Sequence, residues 1–587
     1  MTNTYILGKD AALEQTIARF QQQLTALGFN IEEASWLNPV PHVWSVHIRD
    51  RDCPQCFTNG KGATREAALA SALGEFFERL SCNYFFADFY LGQQLANGEF
   101  VHYLAERWFA LNEDDSLPAE LLDEHLLEVY QREGELYASQ LLDVQSGSEE
   151  RGICALPFVR QSDQRTSYIP VNIIGNLYVS NGMSAGNNSA EAHGQALAEI
   201  CERHVKQRIL IEAISLPAIP DSVLDGHPAV REALRELDAA GYPTLTLDAS
   251  LGGQFPVVCV VLFNRDNGTS FASFGAHPNF AVALERTVTE LLQGRSLNQL
   301  DVFAEPTFDN DIVADPTNLE THFTDSSGHL GWDMFRNPPD FEFCDWNFAS
   351  DSQTTRQHLL DLLHGLGHEV YIADYQHLGV DACRILVPGL SEIYPLDDLV
   401  HANNNAGMGW RELLCGLPQQ DAPAEDFLEL LDTLNEEGLA DDLLLSEFLG
   451  LLFAPDSAWA SLRVAELKAM LALAGGEHGV ALEWVQWLLN YNQGGLSAER
   501  QRHYLCLTSV LQLSVQHGLE ALEHYGAALI WQYGEQELDT ALAVALGEKR
   551  FYGLEALDSE SFSNLPAMQR LLAAYDKLQR AKVAATR

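Results

Sequence analysis

Positive charge is what this chain has least of. Lysine and arginine number 35 against 83 aspartates and glutamates, a formal net charge of −48. A surface of that sign repels phosphate backbones and anionic lipid heads, so nucleic acid and membrane surfaces are excluded as direct partners. Small anions bind such a chain only where local dipoles or cations reverse the sign. Long apolar runs are also absent, and no segment reads as a membrane span. The stretch from Met1 to Lys9 has neither the basic nor the apolar part of a signal peptide. The 10 cysteines are scattered, and the one close pair, Cys53 and Cys56, is followed by no second pair or histidines at zinc-site spacing. Two reduced thiols are expected there, and the chain reads as cytoplasmic.

What remains is a large globular protein, 587 residues with 47% hydrophobic content, enough for two to four domains. Residues 1–60 read as an N-terminal segment with helical periodicity from Ala11 to Leu27 and a strand at Trp44 to Ile48. Residues 61–418 mix Ala/Leu-rich helices with β-branched stretches, the clearest strands being Tyr168 to Val179, Pro256 to Phe263, Val370 to Tyr375 and Arg384 to Val387. The fold expected is an α/β or α+β body. From about residue 419 onward strand signals vanish. Small residues in Leu467 to Gly476 and Ala481 to Trp484 resemble a tetratricopeptide helix pair, and a plain helical bundle explains them equally well. This tail reads as a surface for partner docking or for a homodimer.

One pattern occurs twice. Residues 72–79 and 196–203 both spell A-L-x-E-x-x-E-R on helical periodicity. Positions three and four apart share a helix face, so Glu75, Glu78 and Arg79 project together, as do Glu199, Glu202 and Arg203. A single copy is most often a solvated Glu–Arg pair. Here the turns preceding Glu75, Ala67 to Leu73, offer no solvated face. In the second, Glu191, Gln195, Glu199 and Glu202 fall within a sector of about 80° at ~100° per residue. Acidic groups clustered on buried helices repel one another unless a cation sits among them, and hard oxygen ligands select magnesium or calcium. A third helix puts Arg286, Glu290 and Gln293 on one side, and arginines beside such carboxylates suit a bound phosphate. The Gly-rich segments Thr58 to Thr64 and Ser180 to Asn188, each preceding one of the doubled helices, read as loops suited to phosphate, although neither is a phosphate-loop or dinucleotide fingerprint.

With these features the chain resembles the YcaO family. The likeness rests on the GKG segment at 60–62, both E-x-x-E-R helices, the S-N-G-x-x-x-G-N segment at 180–187 and the helix of Arg286 and Glu290. It runs from Lys9 to about Pro418 and on into the helical tail. The resemblance implies a YcaO-type body that binds ATP through Mg2+. By position it implies Glu75, Glu78, Glu199, Glu202 and Glu290 as metal ligands. Nucleotide contacts would come from Lys9, Thr16, Arg79, Ser184, Asn187, Glu191, Arg203 and Arg286, with Glu202 and Arg286 central to catalysis. The implied chemistry is phosphorylation of a peptide amide oxygen, followed by loss of phosphate as a nucleophile adds. Azoline-forming relatives end in a proline-rich tail, whereas this chain ends Lys582-Val583-Ala584-Ala585-Thr586-Arg587. The resemblance therefore implies instead an accessory role in β-methylthiolation of ribosomal protein S12, beside a separate radical-SAM methylthiotransferase.

Two other classes compete. Gly182-Met183-Ser184-Ala185-Gly186 matches the G-x-S-x-G of serine hydrolases, but Asn187, Asn188 and Ser189 suit a loop and a cap, not an elbow that turns at once into a helix. A non-turnover ATP-binding adaptor, recruiting partners through the tail, fits the same glutamates. His364 and His368, separated by Gly365-Leu366-Gly367, read as turn or surface residues and not as metal ligands.

Overall fold

The computed structural model describes residues 3–131, 136–147, 150–300, 302–397, 399, 402–491, 495–557 and 562–586; Met1, Thr2 and Arg587 lie outside them. Numbering only helices longer than ten residues, the chain opens with α1 (Leu13–Ala26), β1 (Ile31–Val40), β2 (Val43–Asp50), β3 (Phe57–Gly62) and α2 (Arg65–Ser81). There follow β4 (Arg107–Phe109), β5 (Ile153–Arg160), β6 (Thr166–Pro170), β7 (Met183–Gly186), α3 (Ser189–Ile211), α4 (Pro228–Ala239), β8 (Thr244–Asp248), β9 (Val257–Asn264), β10 (Thr269–Ala276) and α5 (Phe280–Leu291). Then come α6 (Ser352–Gly365), β11 (Tyr371–Tyr375) and β12 (Asp381–Leu386). Three sheets result: β1-β2-β3, β10-β9-β8 and β4-β5-β11-β12-β7 with β6 on β5, and every ladder among the described residues is antiparallel.

Three units repeat one plan. A strand runs into a two- or three-residue link, and a polar side chain then caps a helix. Thr64 accepts from the backbone N–H of Ala67, Asn188 from Glu191 and Asn279 from Val282. The helices lie unusually close to their strands. A Cβ at Gly60 would meet the Ala68 carbonyl oxygen at 2.1 Å, and one at Gly275 would meet the Thr287 hydroxyl at 2.3 Å. Those glycines serve packing of helix on strand. The segment at 60–62 is therefore the end of β3, and Met183 to Gly186 is β7, where the sequence suggested phosphate loops.

The strand expected from Tyr168 to Val179 stops at Pro170. Val171 to Tyr178 coil into helical turns, ended by Val179 at φ 49°. With Asn172, Ile173, Ile174, Leu177 and Tyr178 all buried, the run has no two-residue alternation to read. The other expected strands correspond to β2, β9, β11 and β12, and α1 falls within Ala11 to Leu27.

Beyond β12 no strand occurs among the described residues. Helices α7 (Ala424–Glu436), α8 (Val464–Ala474), α9 (His478–Tyr491), α10 (Ala498–His517), α11 (Leu522–Tyr533) and α12 (Glu535–Ala545) pack as successive neighbours round their own core. Nothing in that packing separates tetratricopeptide repeats from a bundle. No helix among the described residues is long and apolar enough to cross a membrane.

The last helix, α13 (Pro566–Ala585), leaves this group. Its Met568, Leu571, Ala574, Tyr575 and Leu578 complete the core formed with α1, α2 and the first sheet. The Tyr575 hydroxyl donates to the Val101 carbonyl. Lys582, buried, donates to the Asn83 side chain and the His102 carbonyl, both at 2.6 Å, with its ammonium 4.4 Å from the Tyr103 ring centre. Cutting the chain near residue 420 to remove the tail thus also removes part of the N-terminal core. Tyr575→Ala is expected to lower the unfolding free energy by about 3–5 kcal/mol, measured by urea denaturation. Trp531→Ala, at a side chain 92% exposed, is expected to stay within about 0.5 kcal/mol. Equal effects would show that α13 is not part of the core.

Candidate functional site

Helices α2, α3 and α5 converge, and the repeated plan gives each a glutamate at one common position. Glu75, Glu199 and Glu290 each lie eleven residues past their caps, Thr64, Asn188 and Asn279. That is about three turns into each helix. Glu78 and Glu202 follow one turn later. None of the residues from Ala67 to Ser81 on α2, nor from Ser189 to Leu210 on α3, is exposed, so the buried setting expected for both motifs is present.

Basic groups are threaded among the carboxylates. Arg79 lies 3.2 Å from Glu75 and 3.7 Å from Glu78, and Arg203 lies 2.8 Å from Glu199. Arg286 donates to Gln195 Oε1 at 2.7 Å. Lys61, at the end of β3, pairs with Glu290 and feels the charges of Arg286, Glu202, Glu75 and Glu199. Glu202 Oε2 accepts from the Ala276 backbone N–H at 3.0 Å, which ties α3 to the end of β10. Gln293, just past α5, donates to the Asn59 carbonyl.

A second knot lies at the start of α3. Lys9 is 3.1 Å from Glu191 Oε1, and the Asp10 backbone N–H donates to Oε2 at 3.1 Å. Asn187 donates to both oxygens of Glu191 and accepts from the Thr16 hydroxyl at 2.9 Å. The N-terminal segment thereby joins the site through Lys9 and Thr16. Ser184 is the exception among the expected contacts. It lies within β7, 1% exposed, and its hydroxyl has no hydrogen-bond partner. A sealed hydroxyl inside a strand is not a hydrolase nucleophile, and Asn188 caps α3 as the rival reading required. Cys53 and Cys56 are buried free thiols with Sγ atoms 3.8 Å apart.

The electrostatics carry the marks of crowded like charge. Burial, then the charges of Glu75 and Glu199, push the Glu78 carboxyl well above its ordinary 4.5, against the pull of Arg79. Burial raises Glu202 too, although Arg286, Lys61 and Arg203 oppose it. Burial and the neighbouring Arg286 lower Lys61 to about 8. Among the described residues no three acidic, histidine or cysteine side chains close on one point; each glutamate leans on a nearby donor or cation. The donor set consists of carboxylate oxygens, which fits Mg2+ and not a thiophilic metal. Lys61 was not foreseen as a site residue, although the GKG segment that holds it reads as suited to phosphate, because its partners lie on other elements far along the chain.

Residues 59–391 match the family model described as YcaO cyclodehydratase, ATP- and Mg2+-binding, and residues 407–584 match the YcaO cyclodehydratase C-terminal domain. The chain is 57% identical over 584 residues to the "Ribosomal protein S12 methylthiotransferase accessory factor YcaO" of Escherichia coli strain K12, covering 100% of this chain and 99% of that one. It is 55% identical over 580 residues to an uncharacterized protein of Haemophilus influenzae, covering 99% and 98%. Among solved structures, the Methanopyrus kandleri YcaO bound with AMPPCP and Mg2+ aligns at 18% identity and TM-score 0.43, over 67% of this chain and 96% of that one. A heterocyclase in complex with substrate and cofactor aligns at 16% identity and TM-score 0.44, over 68% and 57%.

Crowded carboxylates make the site a drain on stability. A carboxyl whose folded pKa exceeds its unfolded 4.5 opposes folding once the pH rises through that value, and the penalty is complete above the folded pKa. Glu78→Gln is therefore expected to stabilise the metal-free protein at neutral pH by roughly 1–2 kcal/mol. The gain should fade as the pH falls towards 4.5. Thermal melts from pH 4 upward, about one unit apart, test it; a variant less stable at neutral pH would refute the crowding.

Proposed function

Since the chain belongs to the YcaO family, we propose that it binds Mg–ATP between its three glutamate helices and passes the γ-phosphate to a peptide amide oxygen, acting as an accessory factor in β-methylthiolation of ribosomal protein S12. ATP and Mg2+ are the cofactors of the family. The accessory role is supported by 57% identity over the whole chain to the Escherichia coli factor of that name. The methylthiotransferase would be a separate radical-SAM protein and S12 the shared target. Partner docking, or self-association as a homodimer, falls to the helical tail, where Trp531, Tyr491 and Tyr525 are exposed.

One observation carries the reading: part-buried glutamates at a common position on three helices, interleaved with Arg79, Arg203, Arg286 and Lys61. Phosphoryl transfer asks a protein for positioning and charge neutralisation more than for a covalent catalyst. Glu75, Glu78, Glu199, Glu202 and Glu290 are assigned to hold magnesium, which supplies neutralisation of the phosphate oxygens when bound. Arg79, Arg203 and Arg286 would face the triphosphate, and Lys9, Thr16, Asn187 and Glu191 would complete the nucleotide contacts; the hydroxyl of Ser184, sealed within β7, is left out of that set. Glu202 and Arg286 are the residues on which transfer depends. The backbone bond from Ala276 fixes the Glu202 carboxylate, and Gln195 fixes Arg286. Both groups are oriented before any ligand arrives, so little reorganisation accompanies reaction.

Phosphate release with purified protein, ATP and Mg2+ tests this. The wild type is expected to hydrolyse ATP slowly, and Glu202→Gln to reduce the rate by about 100-fold or more with an unchanged circular dichroism spectrum. An unchanged rate in the variant would remove Glu202 from the mechanism. Tight ATP binding by the wild type without hydrolysis would replace the enzyme by an adaptor.

A further inference from the structure

A cavity of ≈ 50 Å3 opens beside the C-terminal end of α2, where Cys82 lies one turn past Glu78. Arg384, from β12, which lies between β11 and the edge strand β7 of the six-stranded sheet, forms part of its wall and is 4% exposed. A guanidinium so deeply buried ordinarily meets a carboxylate. This one does not: among the described residues no acid lies within ion-pair distance of it, and its Nε has no hydrogen-bond partner. Its other nitrogens reach only neutral groups, Met183 Sδ at 3.2 Å, the Ile174 carbonyl at 3.3 Å and the Val179 carbonyl. The Val179 carbonyl comes at a conformational cost. A β-branched residue at φ 49° is strained, and here it closes a π-helical turn, Ile174–Tyr178, on the cavity wall.

Among the described residues no acid of the remaining wall pairs with that guanidinium, and the buried Asp143 carboxyl, held below its ordinary value despite its burial by His102 and Ser146, is engaged elsewhere. Asn172, 2% exposed, has an unpartnered Oδ1. The Asp143 oxygens accept from the Ser146 backbone and hydroxyl at 2.9 and 2.8 Å and face His102 at 3.5 Å. Asp88, also on the wall, is exposed and makes no ion pair with Arg384. Tyr84 and Tyr375 supply ring surface.

We propose that this cavity is an anion pocket that takes a small carboxylate group, with Arg384 as its cationic wall. A planar carboxylate matches the guanidinium, and so small a volume admits a few atoms and no nucleotide. Carried by an acceptor molecule, such a group would be held next to the glutamate cluster; that placement rests on the function proposed above, whereas the pocket itself does not.

The test is a titration of the nucleotide-free, full-length protein with sodium formate, against sodium chloride at equal ionic strength, followed by calorimetry and thermal melting. Saturable binding in the millimolar range with a rise of a few degrees in Tm is expected for formate and not for chloride. Arg384→Met should abolish the response and raise the anion-free Tm, because an apolar chain replaces a buried cation that has no ion-pair partner. Arg384→Lys should keep a weakened response. No formate-specific response in the wild type overturns the pocket, whatever the variants do. A full response in Arg384→Met overturns it as well, by locating the anion elsewhere, for example at the arginines of the nucleotide site. Mg–ATP binding, measured separately, reports on the function proposed above and not on this pocket.

Discussion

Two carboxylates a few ångströms apart in a medium drier than water repel by several kcal/mol, and leaving water adds a further penalty. Glu78 and Glu202, among the glutamates of α2, α3 and α5, live under that constraint, and the surrounding structure answers it. Arg79 and Arg203 lie against the glutamates of their own helices, Lys61 reaches in from β3, and the Ala276 backbone N–H holds Glu202. The strain that persists appears in the raised carboxyls of Glu78 and Glu202. That expense is the physical ground on which a bound cation is proposed there.

The scaffold is arranged so that the three helices meet at one depth. Each begins at a polar cap just beyond a strand, so its register is pinned at its N-terminus. Gly60 and Gly275 let helix and strand approach until a methyl group would collide with backbone or side chain. Equal spacing from the cap then brings Glu75, Glu199 and Glu290 to equivalent heights, and Glu78 and Glu202 one turn above. Position along a helix is set locally and cheaply, whereas direction is set by the sheets. A site built this way is held by regular elements.

The N-terminal segment and the last helix lock that arrangement from outside. Lys9 and Thr16 tie the first residues to Glu191 and Asn187 at the start of α3. Helix α13 returns from the helical tail to fill the core beneath α2. A chain that reads as a catalytic body followed by a separate docking tail thus has its last helix built into the first core, and the tail helices between residues 424 and 545 stand as an inserted group.

The sequence by itself determined the doubled E-x-x-E-R helices, their burial, the third helix with Arg286 and Glu290, and the change from mixed structure to helices near residue 420. These are local patterns, and a period of 3.6 residues survives in the order of side chains. It misread Val171 to Tyr178, where consecutive buried residues left no alternation, and took Gly60 and Gly62 for a loop, because a glycine allows a turn and a close contact equally. Only tertiary structure decided that Lys61 stands among four glutamates, that Arg384 lies buried without a carboxylate, and that α13 belongs to the N-terminal core. Each of those facts joins residues tens to hundreds of positions apart. No short-range spacing records such pairings, because they are fixed by which faces of sheets and helices are brought together.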